Sequence, residues 1–141
     1  MSERILLVED DPRDVEIALD VIAHSPDQFE VLVLADGEEA LDYLGRKGRF
    51  RLRSPSPPSF IILDVKMPKL DGFEVLRRLR AEPELSAIPV ILLTASRQEQ
   101  DLMSAYELEA DGYLTKPLKA GMLESVLRTA RASAAARAAR G

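Results

Sequence analysis

Glu9, Asp10, Asp64, Thr94 and Lys116 are the residues of this 141-residue chain whose types and placement could do chemistry together. Each follows closely on a short apolar run. Ile5-Leu6-Leu7-Val8 runs into Glu9-Asp10-Asp11, and Phe60-Ile61-Ile62-Leu63 into Asp64. Val90-Ile91-Leu92-Leu93 runs into Thr94, and Tyr113-Leu114-Thr115 into Lys116-Pro117. Short apolar runs of this kind read as buried parallel strands. In an open α/β sheet, ligands sit in the crevice at the carboxyl ends of the strands. One edge of the sheet would then gather several carboxylates, a hydroxyl and an ammonium, the makings of a site for a divalent cation and a phosphoryl group.

If the first and third strands are neighbours, Glu9, Asp10 and Asp64 crowd one pocket. Like charges a few ångströms apart raise one another's pKa and cannot all stay ionised without compensation. A hard divalent cation compensates them, and carboxylates with waters and phosphate oxygens are the usual Mg²⁺ ligands. A helix-capping cluster is the simpler alternative. It accounts for Asp11, which precedes Pro12 as an N-cap precedes proline at the first helical position. It does not account for Asp64, which precedes no obvious helix start. Lys116 and Thr94 say little singly; their force lies in reaching the same edge. Aspartate can form an acyl phosphate, and phosphoryl transfer mostly needs positioning and neutralised oxygen charge. Mg²⁺ and Lys116 would supply charge, and the Thr94 hydroxyl could donate to a phosphoryl oxygen.

The elements that must position these residues alternate strand and helix five times. A first helix after Asp11-Pro12 carries Val15, Ala18, Leu19 and Ile22 and ends near Ser25-Pro26. Phe29 to Leu34 suits a second strand, and Asp36-Gly37 opens a helix with Ala40, Leu41, Tyr43 and Leu44 inward. Gly45 to Ser59 is expected to be irregular, since Pro55, Pro57 and Pro58 forbid helix. Phe60 to Leu63 is the third strand; a helix with Phe73, Val75, Leu76 and Leu79 follows and stops before Pro83. Ile88 to Leu93 is the fourth strand. Ser96 or Arg97 is expected to open a helix carrying Leu102, Met103, Ala105, Tyr106 and Ala110, which Asp111-Gly112 ends. Tyr113 to Thr115 is a short fifth strand, and the last helix carries Met122, Leu123, Val126, Leu127 and Ala130. Five such units give a parallel sheet covered on both faces.

Length and composition bound the function. The chain is long enough for one domain and too short for two. It has no cysteine, which removes disulfides, thiolate zinc sites and thiol nucleophiles. The absence of a long apolar stretch or signal-peptide layout implies no membrane span and a cytoplasmic location. Net charge is −5, yet Arg46, Lys47, Arg49, Arg51 and Arg53 form a basic run, and Arg128, Arg131, Arg137 and Arg140 supply the charge of an Ala-Arg-rich tail. A loop and a tail do not make a nucleic-acid footprint, so these arginines are expected to be solvated surface. From Ala132 onward, alanines favour helix and the terminal position favours fraying.

Glu9-Asp10, Asp64 within Leu-Asp-Val-Lys-Met-Pro-Lys-Leu-Asp-Gly, Thr94-Ala95, and Tyr113 three before Lys116-Pro117 together resemble the receiver domain of two-component response regulators. The resemblance covers about residues 4 to 127. It implies a flavodoxin-like α/β fold, with five parallel strands in order 2-1-3-4-5 and five helices. It implies a receiver domain over residues 1–127, an extension of the last helix or a tail over 128–141, and no effector domain. It makes Asp64 the phosphoacceptor, Asp10 the direct Mg²⁺ ligand, Glu9 a ligand through water, and the Lys66 backbone carbonyl a further ligand. Thr94 and Lys116 would contact the phosphoryl group, Tyr113 would be the aromatic switch, and Lys116-Pro117 a candidate cis peptide.

The opening Glu-Asp-Asp-Pro-Arg-Asp, the proline-containing loop before Asp64, and Ser104-Ala105-Tyr106-Glu107-Leu108 resemble small regulators paired with phytochrome-type sensor kinases. The implied partner is a sensor histidine kinase, here a bacteriophytochrome. The implied output is docking, including a homodimer through the fourth helix, fifth strand and fifth helix. Leu102, Tyr106, Leu123 and Val126 suit either core or that face, with core favoured because amphipathic helices bury such residues. Two rivals stand beside this reading. A Mg²⁺ phosphohydrolase would want a second acid where Lys66 stands, and a constitutive adaptor would need no phosphorylation. The chain is not expected to be a conventional enzyme.

Overall fold

Residue alternation along five strands sorts the core into two layers. In the computed structural model, which describes residues 3–140, the strands are β1 (Glu3–Val8), β2 (Phe29–Leu34), β3 (Phe60–Asp64), β4 (Val90–Thr94) and β5 (Gly112–Thr115). They form one parallel sheet in the order β2-β1-β3-β4-β5, the expected flavodoxin-like arrangement. The helices are α1 (Pro12–Ala23), α2 (Gly37–Gly45), α3 (Gly72–Ala81), α4 (Glu99–Glu107) and α5 (Ala120–Arg140). Ile5, Leu7, Phe60, Ile62, Ile91 and Leu93 point to the layer that α1 and α5 cover. Leu6, Val8, Ile61, Leu63, Val90 and Leu92 point to the layer that α2, α3 and α4 cover. All five residues of β3 are buried, as a central strand covered on both faces requires.

Capping fixes where three helices start. The carboxylates of Asp11, Asp36 and Asp71 accept from the amides of Arg13, Glu39 and Glu74, each satisfying a donor that the helix leaves open. At α4 the same chemistry acts against the helix. Thr94 Oγ1 accepts from Ser96 N at 3.1 Å and Ser96 Oγ from Gln98 N at 3.2 Å. These local turns hold residues 94–98 out of helical conformation, so α4 begins at Glu99 rather than at Ser96 or Arg97.

Three other expectations are corrected. Leu102 and Tyr106 are not core: they are 51% and 84% exposed, because α4 seats on the sheet through Ala105 and turns these two residues outward. Leu123 is buried and Val126 half-buried. The segment from Gly45 to Ser59 is not structureless. It holds a 3₁₀ turn at Gly48–Phe50, and Arg53 pins it down. That guanidinium lies over the Tyr43 ring, 4.1 Å from its centroid, and donates to the carbonyls of Tyr43, Leu44, Ser54 and Ser56.

Nor are all the tail arginines solvated. Helix α5 runs through to Arg140. Its Arg137, only 10% exposed, pairs with the fully buried Asp111 carboxylate, which also accepts from Arg80, Ser133 Oγ and the Val90 amide. Arg80 and Arg137 both donate to the Ser86 and Ile88 carbonyls. This ionic knot lies at the edge of the sheet where β4 begins, opposite the strand ends that carry the candidate chemistry.

Candidate functional site

Strand order brings the sequence-predicted residues together. β3 lies between β1 and β4 in parallel register, Val8 opposite Leu63 and Asp64 opposite Leu93. Asp64, the last residue of β3, therefore has Glu9 on one side and Thr94 on the other. β5 pairs with β4 through Thr94 and Thr115, and delivers Lys116 to the same edge. Glu9, Asp64 and Thr94 are buried while Asp10 is exposed. The Lys116 ammonium lies 2.7 Å from Glu9 Oε1 and 3.3 Å from Asp64 Oδ2. The Lys116–Pro117 peptide is cis.

The backbone around Asp64 is closely fitted. The Lys66 backbone lies near enough to the Asp64 carboxyl to favour its charged form; the Lys66 side chain is exposed. Gly72 opens α3 with its amide bonded to the Val65 carbonyl at 2.8 Å. A Cβ there would stand 2.3 Å from the Asp64 carbonyl oxygen and 2.9 Å from Val65 Cα. Only glycine lets α3 approach the acidic turn so closely. Tyr113, half-buried on β5, donates to the Ser96 carbonyl at 3.4 Å, which ties the β4–α4 loop to the strand beside Lys116. Burial raises its phenol pKa, with the Asp101 charge adding to the shift. His24, the sole histidine, caps the end of α1.

The charges do not balance. Burial pushes the Glu9 carboxyl up to about 7, although Lys116 works against it. Burial likewise raises Asp64, against the pull of Glu9 and Lys116. For Lys116 burial disfavours the ammonium, but its partners Asp14 and Glu9 outweigh burial and hold the pKa above the usual lysine range. Asp14 was not among the residues singled out from the sequence. It sits in the first turn of α1, three residues after the Asp11 cap, and its Oδ2 meets Lys116 Nζ at 2.8 Å. That spacing from a cap, on a helix beginning beside the acidic strand end, was the available signal.

The donor set fits a hard divalent cation. Glu9, Asp10 and Asp64 each offer a carboxylate oxygen within 4.8 Å of the others. Glu9 Oε1 is buried and has no hydrogen-bond partner, being paired with Lys116 by charge alone. A buried carboxylate oxygen without a hydrogen bond, in a pocket of excess negative charge, is placed to serve Mg²⁺ directly or through water.

Such an edge on such a sheet defines a class. Residues 5–128 match the response regulator receiver domain, and the chain belongs to that family. Among its relatives, response regulator Rcp1 of Synechocystis sp. is 41% identical over 112 residues, 79% of this chain and 75% of Rcp1. The Mn(2+)-bound form of Rcp1 superposes with a TM-score of 0.75 at 36% identity, covering 92% of this chain and 90% of that one. The bacteriophytochrome response regulator RtBRR gives a TM-score of 0.85 at 42% identity, covering 92% of this chain and 78% of RtBRR. The phosphorylated cyanobacterial phytochrome response regulator RcpA gives 0.77 at 33% identity, covering 94% and 91%. The probable transcriptional regulators ycf27 of Porphyridium aerugineum and Cyanophora paradoxa are longer, and the chain spans 48% of the length of each. Among the described residues no helix is long and apolar enough to cross a membrane.

Proposed function

We propose that the chain is a phosphorylatable switch in which Asp64 receives a phosphoryl group from a sensor histidine kinase. The observation that carries this is the meeting of the Lys116 ammonium, 3.3 Å from Asp64 Oδ2, with three carboxylates disposed for one cation. An Asp64 oxygen forms a bond to phosphorus as the phosphorus–nitrogen bond of the donor breaks. Asp10, Asp64, the Lys66 carbonyl and, through water, Glu9 would hold Mg²⁺, which would supply neutralisation of the phosphoryl oxygens. Lys116 keeps its proton and pairs with one oxygen. Thr94 Oγ1 now accepts from the Ser96 amide, which leaves its proton free to donate to another.

Drawing Thr94 inward strains the turn that its hydroxyl holds. Tyr113, bonded to the Ser96 carbonyl of that turn, then repacks and alters the surface of α4, β5 and α5. Moving such a switch from mostly off to mostly on takes about 5 kcal/mol of differential stabilisation. Leu102, Met103 and Tyr106, exposed on α4, suit the docking surface so controlled, including a homodimer. The likeness to RtBRR and RcpA favours a phytochrome-type kinase as donor.

The test is intact mass after incubation with acetyl phosphate and Mg²⁺, beside Asp64→Asn and a metal-free control. One labile phosphoryl group, dependent on Mg²⁺ and lost in the variant, is expected. Failure to load from both the small donor and a phytochrome kinase would refute the assignment.

A further inference from the structure

Lys116 is held by a carboxylate that the phosphoacceptor site does not itself require. Asp14 Oδ2 accepts from Lys116 Nζ at 2.8 Å, across 102 residues of sequence. That distance is close to the 2.7 Å of Glu9 and shorter than the 3.3 Å of Asp64. Asp11 already caps α1, so Asp14 is not needed for capping. A carboxylate in the first helical turn is favoured by the helix dipole wherever it points; here it points at the lysine. Of the oxygens around Nζ, Asp14's provides the contact with hydrogen-bond geometry, whereas Glu9 Oε1 is paired by charge alone.

One ammonium cannot satisfy three carboxylates and a phosphoryl group together. Whichever anion holds Lys116 in the resting protein competes with the phosphoryl oxygens for it. Glu9 faces the cation pocket, so that contact is spoken for when a cation binds. The Asp14 contact is not.

Resting on the assignment of Asp64 as phosphoacceptor, we propose that Asp14 is a positioning residue for phosphotransfer. It restrains the Lys116 ammonium on the α1 side of the site and so sets how readily that ammonium passes to a phosphoryl oxygen on Asp64. Lys116 keeps its proton throughout, and the bonds that form and break are those of the transfer itself.

The experiment uses the full chain and three variants: Asp14→Asn, Asp14→Glu, and Glu16→Gln. Glu16 is exposed on the same helix, so Glu16→Gln removes the same charge without touching Lys116. Two readouts are taken. The first is the Lys116 side-chain ammonium resonance and its exchange with water in unloaded protein. The second is the rate of phosphoryl loading from phosphoramidate at saturating Mg²⁺, followed by intact mass. Asp14→Asn should free the ammonium, speeding its proton exchange, and raise the loading rate about tenfold, the lower end of the effect of withdrawing one charge-assisted hydrogen bond from the resting state. Asp14→Glu should restore most of both readouts, and Glu16→Gln should leave both unchanged. Loading by Asp14→Asn at the wild-type rate overturns the proposal while leaving the phosphoacceptor standing. An equal response in Glu16→Gln overturns it in favour of bulk charge. A wild-type chain that loads from no donor overturns both, whatever the ammonium signal does.

Discussion

Glu9 is the residue at which charge and fold conflict most directly. Its carboxyl is raised from 4.5 to about 7 chiefly by burial, so the folded protein prefers it protonated. A raised pKa contributes stability that is full at low pH and is lost as pH climbs from 4.5 through about 7. Glu9→Gln should therefore gain thermal stability relative to metal-free wild type as pH rises across that window. Melting curves on both proteins at each end of the window check this; a difference independent of pH would contradict the burial argument. Saturating Mg²⁺ should narrow the gap at the high end by stabilising wild type more. Gly72 is limited by space rather than charge. Gly72→Ala must displace the Asp64 carbonyl, 2.3 Å from the new Cβ, at a cost of about 1–3 kcal/mol. Denaturant unfolding should register that loss, and phosphoryl loading of Asp64 should fall with it.

At the scale of elements, α5 and α4 show where sequence reading succeeds and where it stops. Asp111 accepts from Arg80, Arg137, Ser133 and the Val90 amide with no exposure of its side chain. Asp111→Ala leaves two buried guanidiniums facing each other and should cost about 3–5 kcal/mol, read as a lowered urea midpoint. Arg137→Ala should cost less, since Arg80 still pairs with Asp111. Nothing in the Ala-Arg composition of the tail distinguishes Arg137 from Arg128, because the partner that buries it lies 26 residues away. The strands were legible because buried parallel strands are continuous apolar runs that end at polar residues. Helices α1, α2 and α3 were legible from their periodic apolar residues, and Asp11 from the proline after it. The start of α4 was not: Thr94 and Ser96 are side chains that open helices elsewhere, and here they tie down two amides short of one. Leu102 and Tyr106 misled because a short helix seated through Ala105 leaves apolar residues facing out.

For the whole molecule, the site residues were readable because strand order alone makes them neighbours, while Asp14 required knowing which way α1 leaves the sheet. The same order sets the proposed route of the switch: Asp64 on β3, Thr94 on β4, Tyr113 on β5, then α4. Thr94→Ala should still load phosphoryl on Asp64 but fail to pass the change on. Amide exchange over residues 96–108, compared with and without loading, should respond in wild type and stay flat in the variant. A response of equal size in both would place the coupling elsewhere.

Helix α5 has a mechanical consequence. At 21 residues it is about 30 Å long, and it is fastened at both ends. Its first turns are seated on the sheet through Leu123, buried beside Leu118, Ile91 and Leu93, and its last turns are clamped through Arg137 to Asp111. A rod pinned at two opposite rims of a sheet works as a tie-bar. It resists separation of those rims, and any tilt imposed at the Lys116 end is felt by α3 and the β4 entrance at the other.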